Sequence, residues 1–175
     1  VSLDDGRPST LRALQLEVTG RGALYDLGIF FTRVGILDYW LRDPSIGQAI
    51  VFACTQIECD ELAMDLQQAG FAAVGLHGAL SQALRNRRLR ALREGKVQIL
   101  VATDVAARGI DVPTISHVIN YGLPMKAEDY VHRIGRTGRA GRNGLAVTLA
   151  ERMDAGMIRR IQHFTTQNIA VATVP

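Results

Sequence analysis

The sequence predicts an α/β fold, a parallel sheet with helices on both faces in three layers. Three observations predict it. Short runs at 49–54, 72–76 and 97–102 are apolar apart from Gln98, as strands buried on both faces are. Segments with helical period and capping residues alternate with these runs. Residues suited to chemistry follow the runs directly: Thr55, His77-Gly78, Thr103-Asp104 and Tyr121-Gly122. Sheets of this kind bind ligands at the carboxyl ends of their strands, so these residues and the loop before Leu145 are expected on one surface.

Taken in order, residues 1–12 are polar, contain Gly6 and Pro8, and read as a lead-in to one domain over 13–175. Residues 14–18 alternate apolar and polar, which suits an edge strand. An apolar-rich helix is expected over 24–41, stopped by Asp43-Pro44, with Phe30, Phe31, Tyr39 and Trp40 in the core. Thr55 precedes a helix over 56–69, which Gly70 closes. Ser81 caps a helix that runs to Glu94, with Gly95 as its stop. Further strands are expected at 117–121, 145–149 and 169–174, and further helices at 127–134 and 151–164.

The 175 residues are 47% hydrophobic and 21% charged, a balance that buries a core and argues against disorder. A net charge of +3 is compatible with nucleic acid, but the placement of the arginines is the stronger signal. No apolar run reaches the ~18 residues of a membrane span, and the first residues do not form a signal peptide. Val1 in place of an initiator Met fits a piece of a longer protein. Cys54 and Cys59 are expected to be buried, reduced thiols of a cytoplasmic protein, since a zinc site needs about four ligands.

Arginine recurs at Arg133, Arg136, Arg139 and Arg142, and glycine at Gly135, Gly138, Gly141 and Gly144. The guanidinium fork pairs with phosphate oxygens, and glycine permits tight turns or close approach. Polyphosphate, nucleic acid or both are the expected partners. A disordered arginine-glycine tail is the alternative, opposed by the helix before the stretch and the strand after it.

A second cluster, Arg85 to Arg93, lies on the helix that Ser81 opens. Gly78, Gln82 and Arg85 at its N-terminus suit a grip on a phosphate backbone. Arg87, Arg90 and Arg93 read as a solvated face. A third group leaves the strand at 97–102: Thr103, Asp104, Arg108, Gly109 and Asp111. Its bland alternative is a capped turn, with Arg108 paired to the acid four residues earlier.

Two features of phosphoryl transfer are missing. Gly95-Lys96 is followed by Val97, so there is no phosphate-cradling P-loop. Asp60-Glu61 lies within a helical pattern and reads as a solvated face, not as a magnesium-binding pair. Arginines for a phosphate without ligands for its magnesium make half a site.

The stretch 102–111, Ala-Thr-Asp-Val-Ala-Ala-Arg-Gly-Ile-Asp, resembles motif V of the DEAD-box RNA helicases. His-Arg-Ile-Gly-Arg-Thr-Gly-Arg at 132–139 resembles motif VI, residues 50–55 resemble motif IV, and His77-Gly78 with Gln82 and Arg85 resembles the family's Gln-Arg motif. The resemblance covers 48–165 in order and spacing; residues 1–47 match loosely. It implies the second, C-terminal RecA-like domain of such an enzyme. The first domain would bring the P-loop, the acid box and magnesium.

By position, Arg136 and Arg139 would be arginine fingers on the γ-phosphate of ATP, with Asp111 at the ribose and Gly109 beside it. Thr55, Gly78, Gln82, Arg85, Thr103, Asp104 and Gly109 would line the RNA backbone. His132, Arg133 and Gly135 would couple the ATP cleft to the RNA site. No metal ligand is expected in this domain, and its partners would be RNA and the first domain of the same polypeptide. Ala79 stands where an acid is usual, Leu92 where Phe is usual, and Ala53-Cys54 also departs from motif IV; none of these falls in the ATP site. Two other readings remain: a non-catalytic RNA-binding or docking module of the same fold, and a DNA helicase of the same superfamily. A P-loop and acid box upstream of Val1 would separate the first. RNA against DNA stimulation of the ATPase would separate the second.

Overall fold

The computed structural model describes residues 11–18 and 33–172. In chain order the elements are β1 (Leu11–Val18), α1 (Arg33–Leu41), β2 (Gln48–Phe52), α2 (Gln56–Gln68), β3 (Ala73–Leu76), α3 (Gln82–Arg93) and β4 (Ile99–Ala102). They continue as α4 (Asp104–Ala107), β5 (Ile115–Asn120), α5 (Ala127–Ile134), β6 (Gly144–Glu151), a 3-10 turn (Arg152–Asp154), α6 (Ala155–Thr165) and β7 (Ala170–Ala172). The strands form one sheet in the order β3-β4-β2-β5-β6-β1-β7. Every pairing is parallel.

The apolar runs became strands because both their faces are covered. Ala49, Val51, Ile99 and Val101 pack with Ile36, Leu37, Cys59 and Leu62 of α1 and α2. The alternating residues Ile50, Phe52, Leu100 and Ala102 meet Leu89, Leu92, Ala106 and Ala107 of α3 and α4. Tyr130, Ile134 and Ile161 of α5 and α6 pack on Ala146, which is in register with Val118 and so shares the α3/α4 face. Each fully buried Leu or Ile contributes roughly 1.5–3 kcal/mol. Gln48 is the polar exception at the start of β2. Its Nε2 donates to the Leu92 carbonyl at 2.6 Å and to the Val97 carbonyl at 3.0 Å, while Thr114 donates to its Oε1.

Several expectations change. β1 is not an edge strand: it pairs with β6 over its whole length and with β7 over Leu14–Leu16. β1 also opens at Leu11, inside the segment expected to be lead-in. Only 33–41 of the first expected helix is described, and Phe30 and Phe31 lie outside the described residues. Trp40 packs against the core, whereas Tyr39 is 55% exposed. Cys54 is exposed, not buried, because it lies beyond the last residue of β2. Cys59 is buried, and burial pushes its thiol up to about 11. Among the described residues no helix is long and apolar enough to cross a membrane.

Candidate nucleotide and nucleic-acid interface

The carboxyl ends of β3, β4 and β2 present the first row of expected site residues. Thr55 is exposed and caps α2, its hydroxyl accepting from Glu58 N at 3.1 Å. Glu58 returns a carboxylate to the N–H of Cys54 at 2.7 Å, so this corner is fixed from both sides. Ser81 caps α3 by accepting from Leu84 N at 3.2 Å. Gly78 and Gln82 are exposed beside that cap, Gln82 donating to Asn86 at 2.9 Å. Arg85 is half-buried in the first turn, and its guanidinium has no partner among the described residues. Arg87, Arg90 and Arg93 are exposed, as a solvated face should be. Arg88 turns inward and donates to the Gly75 carbonyl.

Asp104 opens α4 directly after Thr103, whose side chain makes no capping bond. The acid does not pair with Arg108. Arg133 takes it in a two-pronged ion pair, Nε to Oδ1 at 2.6 Å and Nη2 to Oδ2 at 2.7 Å. Arg133 reaches it from the last turn of α5 and is 1% exposed. Its Nη1 donates to the Gly122 carbonyl at 2.6 Å and to Asn120 Oδ1 at 3.3 Å. The guanidinium also lies over the Phe52 ring, 5.1 Å from the centroid. One arginine therefore ties the ends of β2, β4 and β5 to the start of the arginine-glycine stretch. Arg108 is left exposed.

Arg136, Arg139 and Asp111 do not stand at carboxyl ends. They lie in the connections that descend to the amino ends of β5 and β6. Thr137 donates to the carbonyl of Ile115, the first residue of β5, at 2.6 Å. Gly144, the first residue of β6, fits against Thr137 so closely that a Cβ there would lie 2.6 Å from the Thr137 hydroxyl oxygen. The expected single surface is thus two rows, one along the carboxyl ends and one down the flank, with Arg133 between them.

In the flanking row Arg136 donates from Nη1 to the Ile110 carbonyl at 2.8 Å and from Nε to the His132 carbonyl at 3.2 Å. Arg139 donates from Nε to the Gly135 carbonyl at 2.8 Å and from Nη1 to Asp111 Oδ1 at 2.8 Å. Burial first, and the nearby Arg139 charge second, lower the Arg136 pKa, while Asp111 opposes them. Two cations held together beside one acid favour an arriving anion.

A concavity of about 220 Å³ gathers Asp104, Gly109, His132, Arg133 and Arg136, with Arg108 and Phe52 in its wall. Thr55, Gly78, Gln82 and Arg85 lie outside it. His132 is exposed, 3.9 Å from Asp129. Gly109, Gly138 and Gly141 have positive φ, and so does Ala140 at 54°. Gly135 caps the C-terminus of α5 at negative φ, and a Cβ there would stand 3.2 Å from the Val131 carbonyl. The glycines of the stretch therefore serve turns and packing.

Sequence reasoning missed Asn120 and Phe52 as partners of Arg133. A polar residue closing an apolar strand was the available signal for Asn120; nothing marked Phe52 within its apolar run. Asp60, read as solvated, lies 2.9 Å from the buried His77.

The family described as helicase conserved C-terminal domain matches residues 33–141. The chain is 46% identical over 161 residues to the DEAD-box ATP-dependent RNA helicase CshA of Bacillus subtilis, a match covering 92% of this chain and 31% of the relative. It is 50% identical over 121 residues to CshA of Geobacillus kaustophilus, covering 69% of this chain and 26% of the relative. It spans less than a third of the length of both. Among solved structures it is similar to the DEAD-box protein SrmB of E. coli in complex with the regulator of ribonuclease activity A. That match has a TM-score of 0.83 at 35% identity and covers 95% of this chain and 92% of the other. It is also similar to S. cerevisiae Dbp5 bound to RNA and ADP BeF3, with a TM-score of 0.80 at 30% identity, covering 93% of this chain and 41% of the other. The chain belongs to the helicase conserved C-terminal domain family, as a RecA-like domain of the DEAD-box type.

Proposed function

We propose that this domain, residues 13–175, forms one wall of a cleft in which a cytoplasmic, two-domain helicase couples ATP hydrolysis to local RNA unwinding. The observation that carries the reading is the flanking row. Arg136 and Arg139 are each anchored to a backbone carbonyl through Nε, and among the described residues both keep Nη2 unspent. Anchored guanidiniums with free donors fit the oxygens of a phosphate chain and need little reorganisation to meet them. ATP, with magnesium held by the first domain, would supply the γ-phosphoryl group for transfer to water. Arg136 and Arg139 would neutralise charge developing on it, Asp111 would orient the ribose, and Gly109, without a side chain, would leave room beside it.

The upper row would hold RNA through its phosphates and sugars. Arg85 brings to the N-terminus of α3 a guanidinium without a partner among the described residues. Thr55, Gly78, Gln82, Thr103, Asp104 and Gly109 would supply polar and close backbone contacts along the strand, and affinity from such contacts is independent of base sequence. A strand bent to fit this surface cannot stay in a duplex. Arg133, flanked by His132 and Gly135, would transmit closure of the cleft, since it bonds to the RNA row through Asp104 and lies three residues from Arg136.

The test is Arg136→Ala in the full-length helicase. RNA-stimulated ATP turnover is expected to fall about 10³-fold or more, as it does when an arginine finger is removed. Turnover within a few-fold of wild type would remove Arg136 from the reaction.

A further inference from the structure

The Asp60–His77 pair lies beneath the β3 end of the first row and is not itself among the residues assigned to ATP, RNA or coupling. His77 follows β3 directly and is 5% exposed. Its Nε2 is 2.9 Å from Oδ1 of Asp60, on α2. The N–H of Ala79 donates to its Nδ1 at 3.2 Å. An N–H donates only to an unprotonated ring nitrogen, so the proton is on Nε2 and the neutral imidazole donates to the carboxylate. One ring thereby ties Ala79 to α2. The Leu80 N–H donates to the His77 carbonyl at 3.3 Å, completing the turn that delivers Ser81 as the cap of α3. Gln56, one helical turn before Asp60, lies against the same loop: a Cβ at Gly78 would stand 3.5 Å from its Nε2.

We propose that Asp60 and His77 are positioning residues for the RNA-backbone grip, holding the 77–81 loop so that Gly78, Gln82 and Arg85 meet the strand in a fixed geometry. The inference rests on the reading of that loop as an RNA contact. Asp60 is 59% exposed at its side chain, so water replaces the carboxylate when it is removed. The domain then stays folded while the loop loosens, and the loss falls on RNA binding and not on the chemical step. Because the imidazole is neutral, an amide oxygen at residue 60 still accepts its N–H, in a weaker bond than a carboxylate makes.

The experiment uses the full-length helicase and a single-stranded uridine oligomer as probe. Asp60→Ala is expected to raise the RNA concentration for half-maximal ATPase about tenfold, with saturating turnover within about twofold of wild type, and Asp60→Asn to restore half-saturation. His77→Ala is expected to match Asp60→Ala. Wild-type half-saturation in Asp60→Ala, or a fall confined to saturating turnover, overturns the positioning role. Arg85→Ala separates this from failure of the underlying reading. If it weakens RNA binding while Asp60→Ala does not, the RNA contact stands and only the pair's role falls. If neither variant moves RNA binding, both fall.

Discussion

Arg133 spends most of its polar capacity inside the protein. Four of the five hydrogens on its guanidinium meet four acceptor atoms, two of them on Asp104, and its face covers Phe52. A phosphate would have to compete with every one of these bonds, whereas Arg136 and Arg139, three and six residues on, keep donors free among the described residues. Equal spacing in sequence therefore conceals unequal chemistry. The ion pair is asymmetric in burial, Arg133 at 1% and the Asp104 side chain at 32% exposed. Removing the acid strands a buried cation, which costs more than an ordinary surface pair is worth. Asp104→Ala is expected to destabilise the protein by about 3 kcal/mol in urea unfolding followed by circular dichroism. A loss below about 1 kcal/mol would mean that Asn120 and Gly122 alone satisfy the guanidinium.

At the scale of elements, the connection from α5 to β6 is the most constrained segment. Gly144 begins β6 under the Thr137 side chain, and Thr137 is itself pinned to Ile115. A methyl group at residue 144 must displace that side chain or the adjacent backbone. Gly144→Ala is expected to cost about 2 kcal/mol or more, within the range of overpacked core sites. Gly156, exposed in the first turn of α6 with no atom within 4 Å of an added Cβ, gives the opposite result. Gly156→Ala should stabilise by up to ~1 kcal/mol, since helix propensity and unfolded-state entropy both favour alanine. Thermal midpoints of the two variants should move in opposite directions. The elements themselves were legible because their signals are local: apolar runs buried on two faces, Thr55 and Ser81 as caps, and Gly70 and Gly95 at positive φ after their helices. Partnerships across elements were not. Asp60 and His77 are seventeen residues apart, Asp104 and Arg133 twenty-nine. Periodicity gives the face on which a residue lies, and says nothing of which distant residue meets it there. For the same reason an alternating strand could be placed in the sheet without knowledge of its second neighbour.

The whole sheet sets the division of labour. Its order places β2, β4 and β5 side by side, so the residues that follow them converge on Arg133, and the descent to β6 carries Arg136 and Arg139 down the flank. These arginines can neutralise a phosphate chain, but the P-loop and magnesium ligands that bind and activate it are not in this sequence. The row proposed to hold RNA would likewise be one side of a groove. In a single-turnover assay with excess domain, the 175-residue chain should therefore hydrolyse ATP no faster than a buffer blank, with or without a single-stranded RNA oligomer. Adding the first domain as a separate polypeptide should produce RNA-dependent hydrolysis that Arg136→Ala in this chain abolishes. That dependence on a residue of one chain for hydrolysis requiring the other is the signature of a shared site. Robust hydrolysis by this chain alone would mean that it holds a complete nucleotide site, and the assignment of Arg136 and Arg139 to a cleft between domains would fail with it.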